Sequence, residues 1–304
     1  MSSLQGKAIV ITGAARGIGA AYAQHIVQRG ARVVVNDVSQ DLVDQQVSRI
    51  IADGGTATGY VADVSDAEAA HALIDHCVQT FGAIDGLINN AGIMFVGPST
   101  DLDAARAKKL FEVNVLGTIH CGVAAMRRMI EQGHGVIVNV TSGSHMGLPD
   151  TAVYGASKGA IASLTYDWAV DLHGTGVRVN AISPMAGTQM AEGVLKQQSF
   201  TGAEFEQKLA SFPTPASNAP VVSYLLSDQS SHLNGQVVRI DGTDLSLVSR
   251  PAVLRPVLTH AEWTDELVAE AFEKTLSNLA MPLGLLQLEG NYQFAPLSNY
   301  RVGR

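Results

Sequence analysis

Thr12-Gly13-Ala14-Ala15-Arg16-Gly17-Ile18-Gly19 (TGAARGIG) is the stretch that decides the fold of this 304-residue chain. It follows Ala8 to Thr12 (AIVIT), a short apolar run rich in β-branched residues that predicts a buried parallel strand. It opens a helical pattern that runs to Gly30, a natural C-terminal stop. In such a strand-to-helix turn, Gly13, Gly17 and Gly19 let the chain bend sharply. Backbone N–H groups then approach a pyrophosphate at the positive end of the helix. A second strand, Arg32 to Asn36, ends on Asp37, whose carboxylate is placed to accept hydrogen bonds from ribose hydroxyls.

Working outward, strands are predicted at 8–12, 32–36, 56–62, 86–90, 135–141, 177–182 and 236–240, alternating with helical stretches. Alternation of this kind requires crossover connections and a sheet covered on both faces, hence an α/β fold with a doubly wound parallel sheet. Residues 1–247 read as one dinucleotide-binding catalytic domain and 248–304 as a C-terminal extension.

The second informative stretch is Tyr154-Gly155-Ala156-Ser157-Lys158. A free phenol with a pKa of ~10 is a poor base at neutral pH. An ammonium at i+4 on the same helix face, with the positively charged ring of a bound dinucleotide nearby, favours the phenolate, so a lowered phenol pKa and a proton carrier matched to physiological pH are expected. A nearby serine adds a short hydroxyl able to donate to a carbonyl or accept from an alcohol.

Together with Asn89-Asn90-Ala91-Gly92, the glycine loop and the Tyr-x-x-x-Lys pair, the chain resembles the short-chain dehydrogenase/reductase family over about residues 5 to 245. The resemblance implies a Rossmann-type sheet with one site at the carboxyl ends of its strands. It implies Tyr154 as acid/base, Ser142 holding the substrate oxygen, Lys158 on the nicotinamide ribose and Asn114 in a proton relay. Gly13, Arg16, Gly17, Ile18, Gly19, Asp37, Asn90, Ala91 and Gly92 would bind the cofactor, with Asp63 and Val64 flanking the adenine. Pro184 and Thr188 would serve its nicotinamide end. The expected cofactor is NAD, because Asp37 repels a 2′-phosphate and Val38 beside it offers no cation.

Two departures matter. Ser142 lies one residue closer to Tyr154 than the family pattern has it, and Thr141 occupies the usual spacing. Counting from the strand through Val136-Ile137-Val138-Asn139 makes Ser142 the match, since strand register sets which side chains face the site and loops absorb length changes. After the sixth strand Met185 stands where a glycine is usual, a variant similar to that of hydroxyacyl-CoA and 17β-hydroxysteroid dehydrogenases of the multifunctional type.

Segments 93–96, 143–148 and 185–212 are expected to wall the substrate pocket, with Met94, Ser144, His145, Met185 and Met190 among its lining and Lys196 and Lys208 its only basic residues. Apolar walls suit a bulky lipophilic alcohol or ketone such as a hydroxysteroid. A 3-hydroxyacyl-CoA is the alternative, opposed by the scarcity of cations for its phosphates. A non-catalytic nucleotide-binding regulator is the reading of another class. His145 either reaches the pocket or makes a structural hydrogen bond in its loop.

Composition narrows the partners. A formal net charge of −8 argues against nucleic acid and anionic membrane surfaces. The first predicted strand begins near residue 7, leaving no room for a signal peptide, and no apolar run approaches a membrane span. A cytoplasmic protein is expected. Cys77 and Cys121 read as small buried hydrophobes, and the histidines show no metal-ligand spacing, so no metal is expected. The extension carries a predicted capping box at Thr259-His260-Ala261-Glu262, then Trp263, Leu267, Val268, Phe272, Leu276 and Leu279 at helical spacing. That stripe packs either on its own subunit or across a neighbour in a homodimer or homotetramer.

Overall fold

The computed structural model describes residues 4–197 and 199–281. Its strands are β1 (Ala8–Ile11), β2 (Arg32–Asp37), β3 (Thr56–Val61), β4 (Gly86–Asn89), β5 (Gly135–Val140), β6 (Val177–Pro184), β7 (Val237–Asp241) and β8 (Asp244–Val248). Between them lie α1 (Gly17–Val27), α2 (Gln40–Ala52), α3 (Ala67–Phe81), α4 (Ala104–Phe111), α5 (Gly117–Gln132), α6 (Ala152–Asp171), α7 (Gln189–Gln197), α8 (Gly202–Ser211) and α9 (Ala219–Leu226). A tenth helix, α10 (Asp265–Lys274), belongs to the extension.

The strands form one sheet in the order β3-β2-β1-β4-β5-β6-β7-β8, parallel except for the antiparallel β7–β8 pair. The seven predicted strands are present and the fold is the expected Rossmann-type α/β layering. The inner strands β1, β4 and β5 are buried on both faces, so alternate residues serve two different cores. Ile9 and Ile11 of β1 join Tyr22, Ile26, Val33, Val35 and Val222 on the α1 and α9 side. Ala8 and Val10 join Leu73, Ile74, Met129, Ile137 and Trp168 on the α3, α5 and α6 side. At about 1.5–3 kcal/mol for each fully buried aliphatic side chain, these two cores are the main favourable contribution to folding.

The eighth strand is not among those the sequence predicts, and the reason is physical. Leu245 and Leu247 of β8 are largely exposed, so the burial that makes an apolar run recognisable is absent at this sheet edge. The strand follows β7 through Gly242, which takes a left-handed turn at φ 61°, and pairs with β7 from Asp241↔Asp244 to Val237↔Val248. The expected boundary at residue 247 therefore falls within β8.

The sheet order reverses beside β1, whose neighbours are β2 and β4, and this switch point opens a crevice at the carboxyl ends of the strands. Polar groups tie its two walls together. The Thr12 hydroxyl accepts from the Asn90 and Ala91 N–H groups at 3.0 Å, and the Asn90 amide donates to the Thr12 and Gly13 carbonyls at 2.9 Å. A Cβ on Gly13 would come within 2.9 Å of the Ala91 backbone, so glycine is what allows this approach.

In the extension the first helical turn starts later than expected. Thr264, not Thr259, caps α10, its hydroxyl accepting from Leu267 N–H at 3.3 Å. Trp263 is thus left ahead of the helix, edge-on to His260. Trp263, Val268 and Phe272 stay 42–52% exposed, and Ala271 is the buried residue of α10. Residues 282–304 of the expected extension lie outside the described residues. Among the described residues no helix is long and apolar enough to cross a membrane.

Candidate active site

The residues expected around the glycine loop lie at one end of the sheet. Gly17 opens α1 with a left-handed φ of 58°, and the nearest atom to a Cβ built there is the Thr188 methyl, 3.8 Å away. The N-terminus of α1 thus faces an open cradle that any other side chain would fill, which fits a bound pyrophosphate. Gly19 packs against the Gly13 carbonyl and the Asn90 amide, and Ile18 leans on the α1-side core. Asp37 closes the far edge of the cradle. One of its carboxylate oxygens accepts from Val38 N–H at 2.8 Å, and the other faces Ala15 N–H of the glycine loop at 3.4 Å. Ser39, not Asp37, occupies the N-cap position of α2. Dinucleotide and residues therefore fit one another.

Of the pair expected beside adenine, Asp63 is half-exposed and held by Ser65 and by Lys109 at 3.2 Å. Val64 instead turns into the core against Gly117, with its carbonyl facing a ring nitrogen of His120 at 3.1 Å.

Tyr154 and Lys158 lie one turn apart on α6. Tyr154 and Lys158 are only 7% and 4% exposed. The Ser142 hydroxyl hydrogen-bonds the Tyr154 phenol, whereas the Thr141 hydroxyl donates to the Ile182 carbonyl at 3.1 Å. Strand register explains the difference. Thr141 extends the β5–β6 ladder, its N–H also reaching Ile182 at 2.8 Å, so its side chain points into the sheet and Ser142 is the first residue free of it.

Asn114 sits in a π-helical turn, Glu112–Leu116, of a kind that recurs at functional sites. Its side chain accepts from Ile93 N–H at 2.8 Å, donates to the Ile93 carbonyl at 2.9 Å and donates to the Ser157 hydroxyl at 3.1 Å. Asn114 Oδ1 and Lys158 Nζ converge on Gly92, 3.2 and 3.7 Å from the Cβ it lacks. The Asn114 amide therefore braces the end of β4 against the Tyr154 helix. No sequence signal marked the π turn, because a five-residue turn inside a helical stretch has no residue-type signature of its own.

The protein's own groups, without the cofactor's charge, leave burial as the dominant influence here. Burial pushes the Tyr154 phenol up to about 12, and the Ser142 bond lowers it only in part. Burial also pulls the Lys158 ammonium down to about 8. The i+4 ammonium lies 5.7 Å from the phenol ring and donates to the Val140 carbonyl at 2.8 Å, so in a dry site desolvation outweighs the attraction anticipated from spacing. Tyr154 rests as a neutral phenol.

Of the wall segments, 143–148 packs on α6 and the start of 185–212 lies against the glycine loop. Gly187 N–H donates to the Pro213 carbonyl at 2.9 Å, so the chain leaves the sheet and returns at one point, and α7 and α8 form an excursion across the site. Lys196 lies over Phe205 and Lys208 over Phe200, joining the two helices. Arg16 reaches Gln189 at 3.1 Å, and Thr188 accepts from Ala191 N–H at the start of α7. Met185 continues the β6–β7 ladder past Pro184, its N–H donating to the Ile240 carbonyl. Met94 is partly buried and Met190 exposed. His145 bonds through Nδ1 to the Ser142 carbonyl, the structural role of its two readings. The buried Ser144 hydroxyl has no partner among the described residues. Cys77 and Cys121 are buried and each pushed up to about 12, as inert hydrophobes.

The depressed Lys158 value carries a stability prediction. Below pH 8 the native chain holds a buried ammonium. Between about 8 and the ordinary lysine value the native state sheds that proton before the unfolded state does, so the parent gains stability as pH rises. Lys158→Met removes this contribution. Relative to the Met variant, the parent should gain about 3 kcal/mol between pH 7.5 and 10.5 by urea unfolding. A difference that does not move with pH would contradict the burial reading.

Comparison with known proteins agrees with this geometry. Residues 13–242 match the family described as Enoyl-(Acyl carrier protein) reductase. The chain is 39% identical over 246 residues to 2-(S)-hydroxypropyl-CoM dehydrogenase 3 of Xanthobacter autotrophicus, covering 79% of this chain and 96% of that protein. It is 37% identical over 238 residues to cis-4-hydroxycyclohexanecarboxylate dehydrogenase of Sinomonas cyclohexanicum, covering 77% and 94%. An NAD+-bound xylitol dehydrogenase superposes with a TM-score of 0.73 at 34% identity, over 78% of this chain and 98% of that one. A short chain dehydrogenase from Mycobacterium avium superposes at 0.79 with 28% identity, over 92% and 97%. That share of this chain exceeds what residues 1–247 can fill, so the likeness reaches into the extension. Similar solved structures include complexes with NADP as well as NAD. The chain belongs to the short-chain dehydrogenase/reductase family, as an oxidoreductase that takes a nicotinamide cofactor and interconverts a secondary alcohol and its ketone.

Proposed function

We propose that this protein is an NAD-dependent dehydrogenase of bulky lipophilic secondary alcohols, such as hydroxysteroids, with Tyr154 as its proton carrier. The observation that carries the reading is the Ser142–Tyr154 hydrogen bond, set beside Lys158 at the strand ends that also hold the glycine cradle. When bound, the dinucleotide supplies the hydride acceptor or donor. The protein's own residues do the rest. Ser142 orients the substrate oxygen, and Tyr154, a neutral phenol at rest, gives its proton to a ketone oxygen or takes one from an alcohol. Lys158 offers an ammonium to the ribose and favours the phenolate when charge develops. Asn114 keeps the Tyr154 helix in register with the end of β4.

Support for a lipophilic substrate comes from Met94, Met185, Phe200, Phe205 and Phe212 in the walls, with both wall lysines engaged over aromatic rings. A coenzyme A thioester would need cations free for its phosphates. NAD-coupled absorbance on a panel of steroids, aliphatic and cyclic alcohols and hydroxyacyl-CoAs should give the highest kcat/KM with a bulky neutral alcohol. A hydroxyacyl-CoA at the top of that ranking would overturn the substrate class. Tyr154→Phe should lose at least ~10²-fold in turnover while retaining cofactor binding, and Ser142→Ala should be far more damaging than Thr141→Ala. Parent-like turnover in Tyr154→Phe would sink the mechanism.

Cofactor choice follows from Asp37, which stands against Ala15 of the glycine loop. Its carboxylate accepts from the 2′- and 3′-hydroxyls of NAD and repels a 2′-phosphate, outweighing the weaker pull of Arg16, which is engaged with Gln189. Asp37→Ala should narrow the preference for NAD over NADP. A parent enzyme with the higher kcat/KM for NADP would refute this.

Residues 248–304 form, in this reading, an extension to the catalytic domain 1–247 that packs across a second copy in a homodimer or homotetramer. The exposed Trp263, Val268 and Phe272 motivate it. Truncation after Arg250 should leave NADH affinity near normal and yield a smaller assembly by light scattering or a raised KM for the best substrate. Unchanged mass and KM would count against it.

A further inference from the structure

We propose that Arg239 is a positioning residue for Ser142, its guanidinium setting the height of the Ser142–Gly143 turn above the sheet and so the reach of the Ser142 hydroxyl to Tyr154. The inference rests on the reading of Ser142 and Tyr154 given above.

Arg239 is in β7, two strands from the end of β5, and shares a strand face with Val237, which packs on Ala162 of α6. Its side chain is only 14% exposed and is anchored by Asp241, two residues along the same strand face, at 2.5 Å. From that anchor the guanidinium crosses β6, where Nη1 lies 3.5 Å from the Ser183 hydroxyl, and ends beneath the turn. A Cβ added to Gly143 would meet Nη1 at 2.6 Å, Cζ at 3.4 Å and Nη2 at 3.7 Å, so the whole guanidinium lies against this residue. On its other side the turn meets α6. A Cβ on Gly155, the residue after Tyr154, would come within 2.7 Å of the Ser144 carbonyl oxygen. The turn is therefore clamped between Arg239 and the first turn of the helix that carries Tyr154. Its internal hydrogen bonds, Ser144 N–H to Ser142 Oγ and His145 N–H to the Ser142 carbonyl, both 3.3 Å, fix its shape and not its height. Height is set by what presses from below.

A guanidinium suits that task. It is planar, permanently charged and pre-organised, and its pairing with Asp241 removes the cost of leaving it unpaired under a covered turn. Without it the turn would settle toward the sheet and away from Tyr154. A displacement near 1 Å of a group that aligns the reacting atoms costs up to about 10²-fold in rate.

The test uses the full chain, with turnover on its best alcohol, NADH affinity by fluorescence and amide exchange over residues 142–147. Arg239→Met should lower kcat about 10- to 100-fold, leave the NADH dissociation constant within about twofold and speed exchange in the turn. Gly143→Ala forces the same contact apart from the other side and should give a similar loss. Because methionine lacks the guanidinium atoms that the added methyl group would meet, the double variant should lose no more than the worse single one. Losses that multiply, or an Arg239→Met protein with parental kcat and parental exchange, would overturn the proposal. Should Arg239→Met fail to fold, Gly143→Ala and Gly143→Ser carry the test, and parental turnover and exchange in both would overturn it. Ser142→Ala separates the two levels. Parental turnover in that variant defeats the reading of the site, while exchange in Arg239→Met still reports whether the guanidinium holds the turn.

Discussion

A phenol and an ammonium share one dry helix face, and the chemistry of this protein is built around the cost of keeping them there. Burial lifts Tyr154 to about 12 and depresses Lys158 to about 8. Each unit is worth about 1.4 kcal/mol, so the phenolate is disfavoured by about 3 kcal/mol relative to a phenol in water. Dryness thus makes Tyr154 a proton donor at rest. The same low-dielectric surroundings strengthen the effect of any further positive charge brought close to it, so a second cation beside Lys158 would lower the cost of ionisation. Ser142 is the one neighbour whose hydrogen bond already works in that direction.

Holding those groups in register is a matter of braces that span the ends of separate strands. Thr12 and Asn90 lock the glycine loop to the end of β4, Asn114 locks β4 to α6, and Lys158 reaches back to β5 through the Val140 carbonyl. The Asn114–Ser157 and Lys158–Val140 bonds are buried, the others half-buried, and each joins residues distant in the chain. Removing one partner leaves a desolvated donor or acceptor behind, which costs about 1–3 kcal/mol. The active end of the sheet therefore depends on a polar network laid over two apolar cores.

Much of this was legible in the sequence because it rests on local signals. Runs of five to seven residues rich in β-branched side chains marked seven strands, the glycines of the first turn marked the cradle, and Asp37 stood where its strand ends. What escaped had no local signal. β8 exposes both its leucines, so nothing in its composition separates it from a loop. The π turn around Asn114 is a change in hydrogen bonding over five residues, with no residue type that marks it. Arg239 reads as an ordinary strand charge until its anchor, Asp241, and its target, Gly143, are seen on one face. The weight of burial on Tyr154 escaped for a different reason. Spacing shows that Lys158 is near, but burial depends on everything packed around the pair. At the choice between Thr141 and Ser142, register was enough, because a ladder leaves only one of two adjacent residues facing a given side.

The measurement closest to the central claim is the titration of Tyr154 itself, by phenolate absorbance of the parent minus that of Tyr154→Phe, with and without saturating NAD+. The account predicts a phenol near 12 in the free protein that falls by at least about one unit when the positively charged nicotinamide ring is bound. A free-protein value below that of an ordinary tyrosine, about 10, or no movement on adding NAD+, would contradict it.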